Sequence, residues 1–68
     1  MDRKEIGMRI KKIRKQKGLS QKELAKLMGY KDHSTLAKVE TGVNDITIET
    51  LYKYSEILDF DVLDFLKI

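Results

Sequence analysis

Apolar residues fall in five short runs along the chain, each at the three- and four-residue spacing that gathers side chains onto one helix face, and each behind a residue suited to start a helix. In the first run Ile6, Ile10 and Ile13 share a face, Asp2 with Glu5 makes a capping pair, and Gly18 can end the element, which predicts a helix over 3–17. Ser20 and Glu23 form a capping box for the second, with Leu19 placed to staple onto Leu24. Leu24, Leu27 and Met28 supply its inward face and Gly29 its stop, over 21–28. Asp32 is the best N-cap for a third helix over 33–41, with Leu36 and Val39 inward and Gly42 at its end. Thr47 caps a fourth, with Ile48, Leu51, Tyr54 and Leu58 inward, Ile46 placed to staple Leu51, and an end near Asp59. Asp61 caps a short fifth helix carrying Val62, Phe65 and Leu66, and Phe60 can staple onto Phe65.

No proline, low-complexity stretch or internal repeat divides these elements, so residues 1–68 read as a single all-helical domain. Only Tyr30-Lys31-Asp32 separates the second helix from the third, which forces the two to cross steeply and predicts a helix-turn-helix over about 20–41. A domain of this size hides only about 60% of the surface that its unfolded chain exposes. Cysteine is absent, so neither disulfides nor a thiolate zinc site can add stability, and self-association as a homodimer is favoured.

The net charge of +3 conceals an asymmetry. Up to Gly42 the chain carries twelve Lys or Arg against Asp2, Glu5, Glu23, Asp32 and Glu40, a balance of +7; beyond it Lys53 and Lys67 face six acids, a balance of −4. A basic half that holds the helix-turn-helix suits a surface that meets a polyanion, and an ordinary solvated surface is the alternative.

On a wheel at about 100° per residue, the side of the third helix opposite Leu36 and Val39 carries Ser34 and Lys38 one turn apart, with Ala37 and Thr41 beside them. None is large and apolar, so that face can lie in solvent or enter a groove. In a DNA groove Lys38 can donate to guanine O6 and N7, Ser34 can donate to or accept from a base edge, and the Ala37 methyl can touch a thymine methyl. His33, in the first turn, can reach a base or a phosphate. Glu40 sits near the inward stripe, where an unpaired carboxylate is costly to desolvate. Arg14 lies beside the apolar stripe of the first helix, so Arg14 and Glu40 are expected to pair.

Taken in order, Ile10-Lys11-Lys12-Ile13-Arg14, then Gly18-Leu19-Ser20-Gln21-Lys22-Glu23-Leu24-Ala25, then Ser34-Thr35-Leu36-Ala37-Lys38-Val39-Glu40, and later Glu49-Thr50-Leu51, resemble the phage Cro and lambda repressor helix-turn-helix family, also called the Xre family. The resemblance covers about residues 5–66. It implies a compact five-helix, lambda repressor-like DNA-binding domain that binds double-stranded DNA at a palindromic operator, as a homodimer with the third helix in the major groove. It implies that the positions of His33, Ser34 and Lys38 face base edges, and Thr35 and Ala37 are expected as further base contacts. Gln21 is implied as a phosphate clamp, and Lys17, Lys31, Thr41 and Asn44 are expected as further phosphate contacts, Lys17 supplying some of the charge that the loop after the third helix lacks; from the residues alone, Gln21 is the first residue of a capped helix. Two features depart from the family pattern. The turn around Tyr30-Lys31-Asp32 is one residue longer than the commonest form, and the loop Gly42-Val43-Asn44-Asp45-Ile46 lacks the usual cations and proline, leaving its phosphate grip to backbone N–H groups or Asn44.

Phe60, Val62, Phe65, Leu66 and Ile68 place more apolar surface at the end of the chain than one short helix buries, so a dimerisation segment is expected over 58–68; completion of the monomer core is the competing reading. His33 is the only histidine and no carboxylates fall at metal-ligand spacing, so no enzyme activity, metal, cofactor or small-molecule substrate is expected. The charged N-terminus and the lack of any apolar run near ~18 residues argue against export and membrane insertion and for the cytoplasm. A transcriptional repressor or controller is the leading expectation. An antitoxin that also regulates its own promoter is the alternative, and a helical adaptor without DNA would leave the basic half unexplained.

Overall fold

The computed structural model describes residues 1–67, which form five helices: α1 Arg3–Gln16, α2 Gln21–Met28, α3 Ser34–Glu40, α4 Ile48–Leu58 and α5 Val62–Lys67. Their starts are set by side chains that satisfy backbone N–H groups left over in a first helical turn. Asp2 accepts from the Glu5 N–H at 2.9 Å, and Thr47 accepts from the Thr50 N–H at 3.1 Å. Asp61 accepts from Leu63 and Asp64 at 2.8 and 3.2 Å. In the Ser20–Glu23 capping box the two reciprocal bonds measure 3.0 and 2.9 Å. The Ser20 backbone N–H, and then its side chain, hold the Glu23 carboxyl below its ordinary value. That contribution is complete above the ordinary value and is lost as pH falls through the lower, folded-state one.

The third helix begins differently from expectation. His33, not Asp32, occupies the position before α3, with helical φ of −79° and no side-chain cap. Asp32 reaches forward instead and accepts from the Ser34 N–H at 2.8 Å. α3 is therefore one residue shorter at each end than 33–41.

Ile10, Leu24, Leu36, Tyr54 and Leu58 are fully buried, and Ala25, Met28, Val39, Leu51, Val62 and Phe65 complete the core. Two expected core residues are corrected. Leu27 is exposed because Leu24, Ala25 and Met28 centre the buried face of α2, and Leu27 lies about 100° around the helix from that centre. Ile48 is exposed at the first position of α4, off the stripe of Leu51, Tyr54, Ser55 and Leu58.

Packing at the ends of the helices uses polar clasps. The Arg9 guanidinium donates to the Phe65 carbonyl at 2.6 Å, tying α5 to α1. Lys53 Nζ donates to the Met28 carbonyl at 2.8 Å, bringing a cation to the C-terminal end of α2. Phe60 stacks on Phe65 with ring centroids 4.9 Å apart, which fixes the entry into α5. The Tyr30 and Tyr54 hydroxyls meet at 2.9 Å and pin the turn before α3 to α4. Burial, then the bond to Tyr30, push the Tyr54 phenol above its ordinary range, so it stays neutral.

Gly7 explains how closely α1 and α3 approach: a Cβ there would lie 2.2 Å from the Val39 carbonyl oxygen. Asp59 presents the opposite case. It follows α4 at φ 57° while the Phe60 N–H closes back on the Ser55 carbonyl at 3.0 Å, a left-handed stop usually given to glycine. Among the described residues, no helix is long and apolar enough to cross a membrane. In urea or thermal denaturation, Gly7→Ala is expected to destabilise by about 1–3 kcal/mol or more through a backbone clash. Asp59→Gly, at a position L side chains rarely adopt, is expected to stabilise by about 1 kcal/mol. Equal signs for the two would refute this packing.

Candidate nucleic-acid interface

The site is built on a buried carboxylate. Arg14 Nε donates to Glu40 Oε2 at 2.7 Å and its Nη2 to Oε1 at 3.2 Å, while Nη1 donates to the Leu19 carbonyl at 2.7 Å. Gln21 Nε2 adds a third bond to the carboxylate, on Oε1 at 2.9 Å. The Arg14 and Glu40 side chains are 7% and 1% exposed, and among the described residues no fully buried side-chain nitrogen or oxygen lacks a partner. One acid on α3 is thereby fastened to α1 and to the first residue of α2.

With Glu40, Leu36 and Val39 turned inward, the helical repeat turns the other face of α3 outward. Ser34, Thr35 and Lys38 are exposed and Ala37 is half-buried. His33 is exposed just before them, and so are Lys17 after α1, Lys31 in the turn, and Thr41 and Asn44 after α3. Lys22, Ala25, Lys26, Tyr30, Lys31, Asp32 and His33 line a shallow cleft between α2 and the lengthened turn. The long turn is thus accommodated with Tyr30 folded toward Tyr54 and Lys31 left in solvent.

Hydrogen bonding narrows what several of these residues can offer. Gln21 is half-buried and uses one Nε2 hydrogen on Glu40, leaving the second for an outside acceptor. The Thr41 hydroxyl donates to the Ala37 carbonyl at 2.9 Å, so it has no proton free for a phosphate. The N–H groups of Val43 and Asn44 both close onto the Lys38 carbonyl, at 2.9 and 3.1 Å. Two of the backbone donors expected to grip phosphate in this loop are therefore engaged, and the Asn44 side chain remains. The Ser34 hydroxyl donates to Asp32, a contact that no helix-start pattern anticipated.

The terminal apolar residues divide. Val62 and Phe65, expected on a partner-facing surface, are buried in the monomer core, because they form the inward stripe of α5. Phe60 is half-buried against the core, Leu66 is exposed, and Ile68 lies outside the described residues. Leu63, which the sequence reading passed over, is the most exposed large apolar side chain on α5, at 69%.

The helix-turn-helix family profile matches residues 10–65. The chain belongs to the helix-turn-helix family. It is of the Cro/C1 type, a family of DNA-binding transcription regulators and not of enzymes. This helix-turn-helix protein is similar in structure to the clp gene regulator ClgR from Corynebacterium glutamicum, with a TM-score of 0.86 and 26% identity over 94% of this chain and 67% of that one. In a second structure of ClgR the match spans 82% of that chain. It is also similar to the restriction-modification controller protein C.AhdI from Aeromonas hydrophila, with a TM-score of 0.81 and 32% identity over 91% of this chain and 92% of that one. Its five helices have the lambda repressor-like arrangement. A search of curated proteins finds no match.

Because Glu40 is buried, removing it strands the Arg14 guanidinium. Glu40→Ala is expected to lower stability by about 3–5 kcal/mol in urea denaturation. A loss below about 1 kcal/mol would mean that the pair behaves as an exposed one.

Proposed function

We propose that this protein is a repressor or controller of transcription that binds a palindromic operator as a homodimer, with α3 of each protomer in the major groove of one half-site. The observation that carries this reading is the outward polar face of α3, held in one direction by the Arg14–Glu40–Gln21 network beneath it. On this reading His33, Ser34, Thr35, Ala37 and Lys38 approach base edges, with Lys38 donating to guanine O6 and N7. Lys17, Gln21, Lys31 and Asn44 meet phosphates on either side, and Thr41 joins them only by releasing the Ala37 carbonyl. The likeness to a gene regulator and a restriction-modification controller supports a regulatory role.

Dimerisation is supported by the exposed Leu63 and Leu66 on α5, close in the chain to the half-buried Phe60, where Asp59, Asp61 and Asp64 make the end of the chain unsuited to DNA. One α3 face offers few strong base contacts, so two half-sites about one helical turn apart supply discrimination that a monomer lacks.

Selection of binding sites from random duplex DNA tests the reading of α3. The native protein is expected to return a two-fold symmetric site, and Lys38→Ala to relax preference at one base pair per half-site by about 1–3 kcal/mol. Uniform weakening across all sequences would make Lys38 a phosphate contact instead. In sedimentation equilibrium, Leu63→Asp combined with Leu66→Asp is expected to shift a dimer toward monomer without loss of helicity, and an unchanged dimer would place the interface elsewhere.

A further inference from the structure

Asp32 is out of place on the surface described above. It is an exposed acid among Lys22, Lys26, Lys31 and His33 around one cleft, and it stands within electrostatic reach of Lys38. On a face that meets a polyanion, a carboxylate weakens binding unless it finds a hydrogen-bond donor on the DNA. Its own hydrogen bonds define which donor that is. Oδ1 already accepts from the Ser34 N–H and from the Ser34 hydroxyl. The hydroxyl's only proton is therefore engaged, and Ser34 presents lone pairs alone. Side by side at the start of the exposed face, Asp32 and Ser34 together offer acceptors and no donor.

In the major groove only two bases present donors, cytosine through N4 and adenine through N6. Adenine sets its N7 acceptor next to N6, which opposes a second acceptor, whereas cytosine carries the amino donor without an acceptor of its own on that edge. Resting on the proposed docking of α3, we infer that Asp32 is a specificity-determining residue whose free carboxylate oxygen selects the N4 amino group of one cytosine in each half-site, with the Ser34 oxygen adding negative potential beside it and no second bond. Lys38, a turn further along the same face, supplies the opposite polarity. The groove is then read as an acceptor end and a donor end. The anion lowers affinity for DNA in general and raises the contrast between the right site and the wrong one.

The test is site selection by the native protein, Asp32→Ala, Asp32→Asn and Lys38→Ala, followed by titration of the selected duplex with 2-pyrimidinone, which lacks the 4-amino group, in place of the cytosine. Asp32→Ala is expected to lose one cytosine preference per half-site while binding unrelated DNA as well as or better than the native protein. Asp32→Asn keeps the bond to the Ser34 N–H through its amide oxygen and presents only amide N–H groups to the groove, so its preference at that position moves from cytosine to a base edge that accepts. The 2-pyrimidinone duplex is expected to bind the native protein about 5- to 10-fold more weakly and Asp32→Ala no more weakly than the cytosine duplex. Thermal melting of both Asp32 variants separates a lost bond to Ser34 from a lost base contact, and Asp32→Asn carries the test should Asp32→Ala fail to fold. The inference is overturned if both Asp32 variants select the native site, or if the amino group matters equally with and without Asp32. Should Lys38→Ala also select the native site, the docking of α3 fails with it; should Lys38→Ala alone change the site, only the role of Asp32 falls.

Discussion

Everything distinctive about this fold passes through the carboxylate of Glu40. It accepts from Arg14 twice and from Gln21 once, and Arg14 reaches on to the Leu19 carbonyl, so α1, the α1–α2 connection, α2 and α3 share one buried junction. Such a junction adds little net stability over a well-packed apolar one, since both charges are taken out of water. Its contribution is directional: four bonds of defined geometry allow α3 one rotation about its axis, whereas an apolar contact tolerates several.

That constraint matters because α3 cannot hold itself. Seven residues are too few for a stable helix in water. Leu36 and Val39 provide burial, the closeness of Gly7 to the Val39 carbonyl lets α1 lie against it, and the Tyr30–Tyr54 contact anchors its approach. The outward side chains of Ser34, Thr35 and Lys38 are thereby presented on a rigid base, as the proposed groove reading requires.

Much of this was legible in the sequence, for reasons that differ by element. Capping residues are local signals, so the starts of α1, α2, α4 and α5 follow from Asp2, Ser20, Thr47 and Asp61. The pairing of Arg14 with Glu40 followed from the cost of leaving a carboxylate unpaired on an inward face. What was not legible depended on neighbours distant in the chain. Leu27 and Ile48 look like core residues because periodicity defines a face only to within a residue or so, and packing decides its edge. The burial of Val62 and Phe65 is not legible from apolar content, because it depends on α5 packing against α4 with Arg9 of α1 clasping the Phe65 carbonyl. In the candidate site, the outward direction of Ser34, Thr35 and Lys38 was legible and their hydrogen-bonding polarity was not. The engagement of the Ser34 and Thr41 hydroxyls, and of the Val43 and Asn44 N–H groups, arises from bonds that a residue's type does not announce. Gly7 did leave a signal, a glycine inside an amphipathic helix, which points to a close approach of backbone.

The most direct measure of the central junction is native-state amide hydrogen exchange, which reports the free energy needed to open each helix separately. If the Glu40 network makes α3 one body with α1 and α2, the amides of Ala37 through Glu40 exchange only at the free energy of global unfolding, matching those around Ile10 and Leu24. Exchange of α3 through a cheaper local opening, with α1 and α2 still protected, would contradict that coupling.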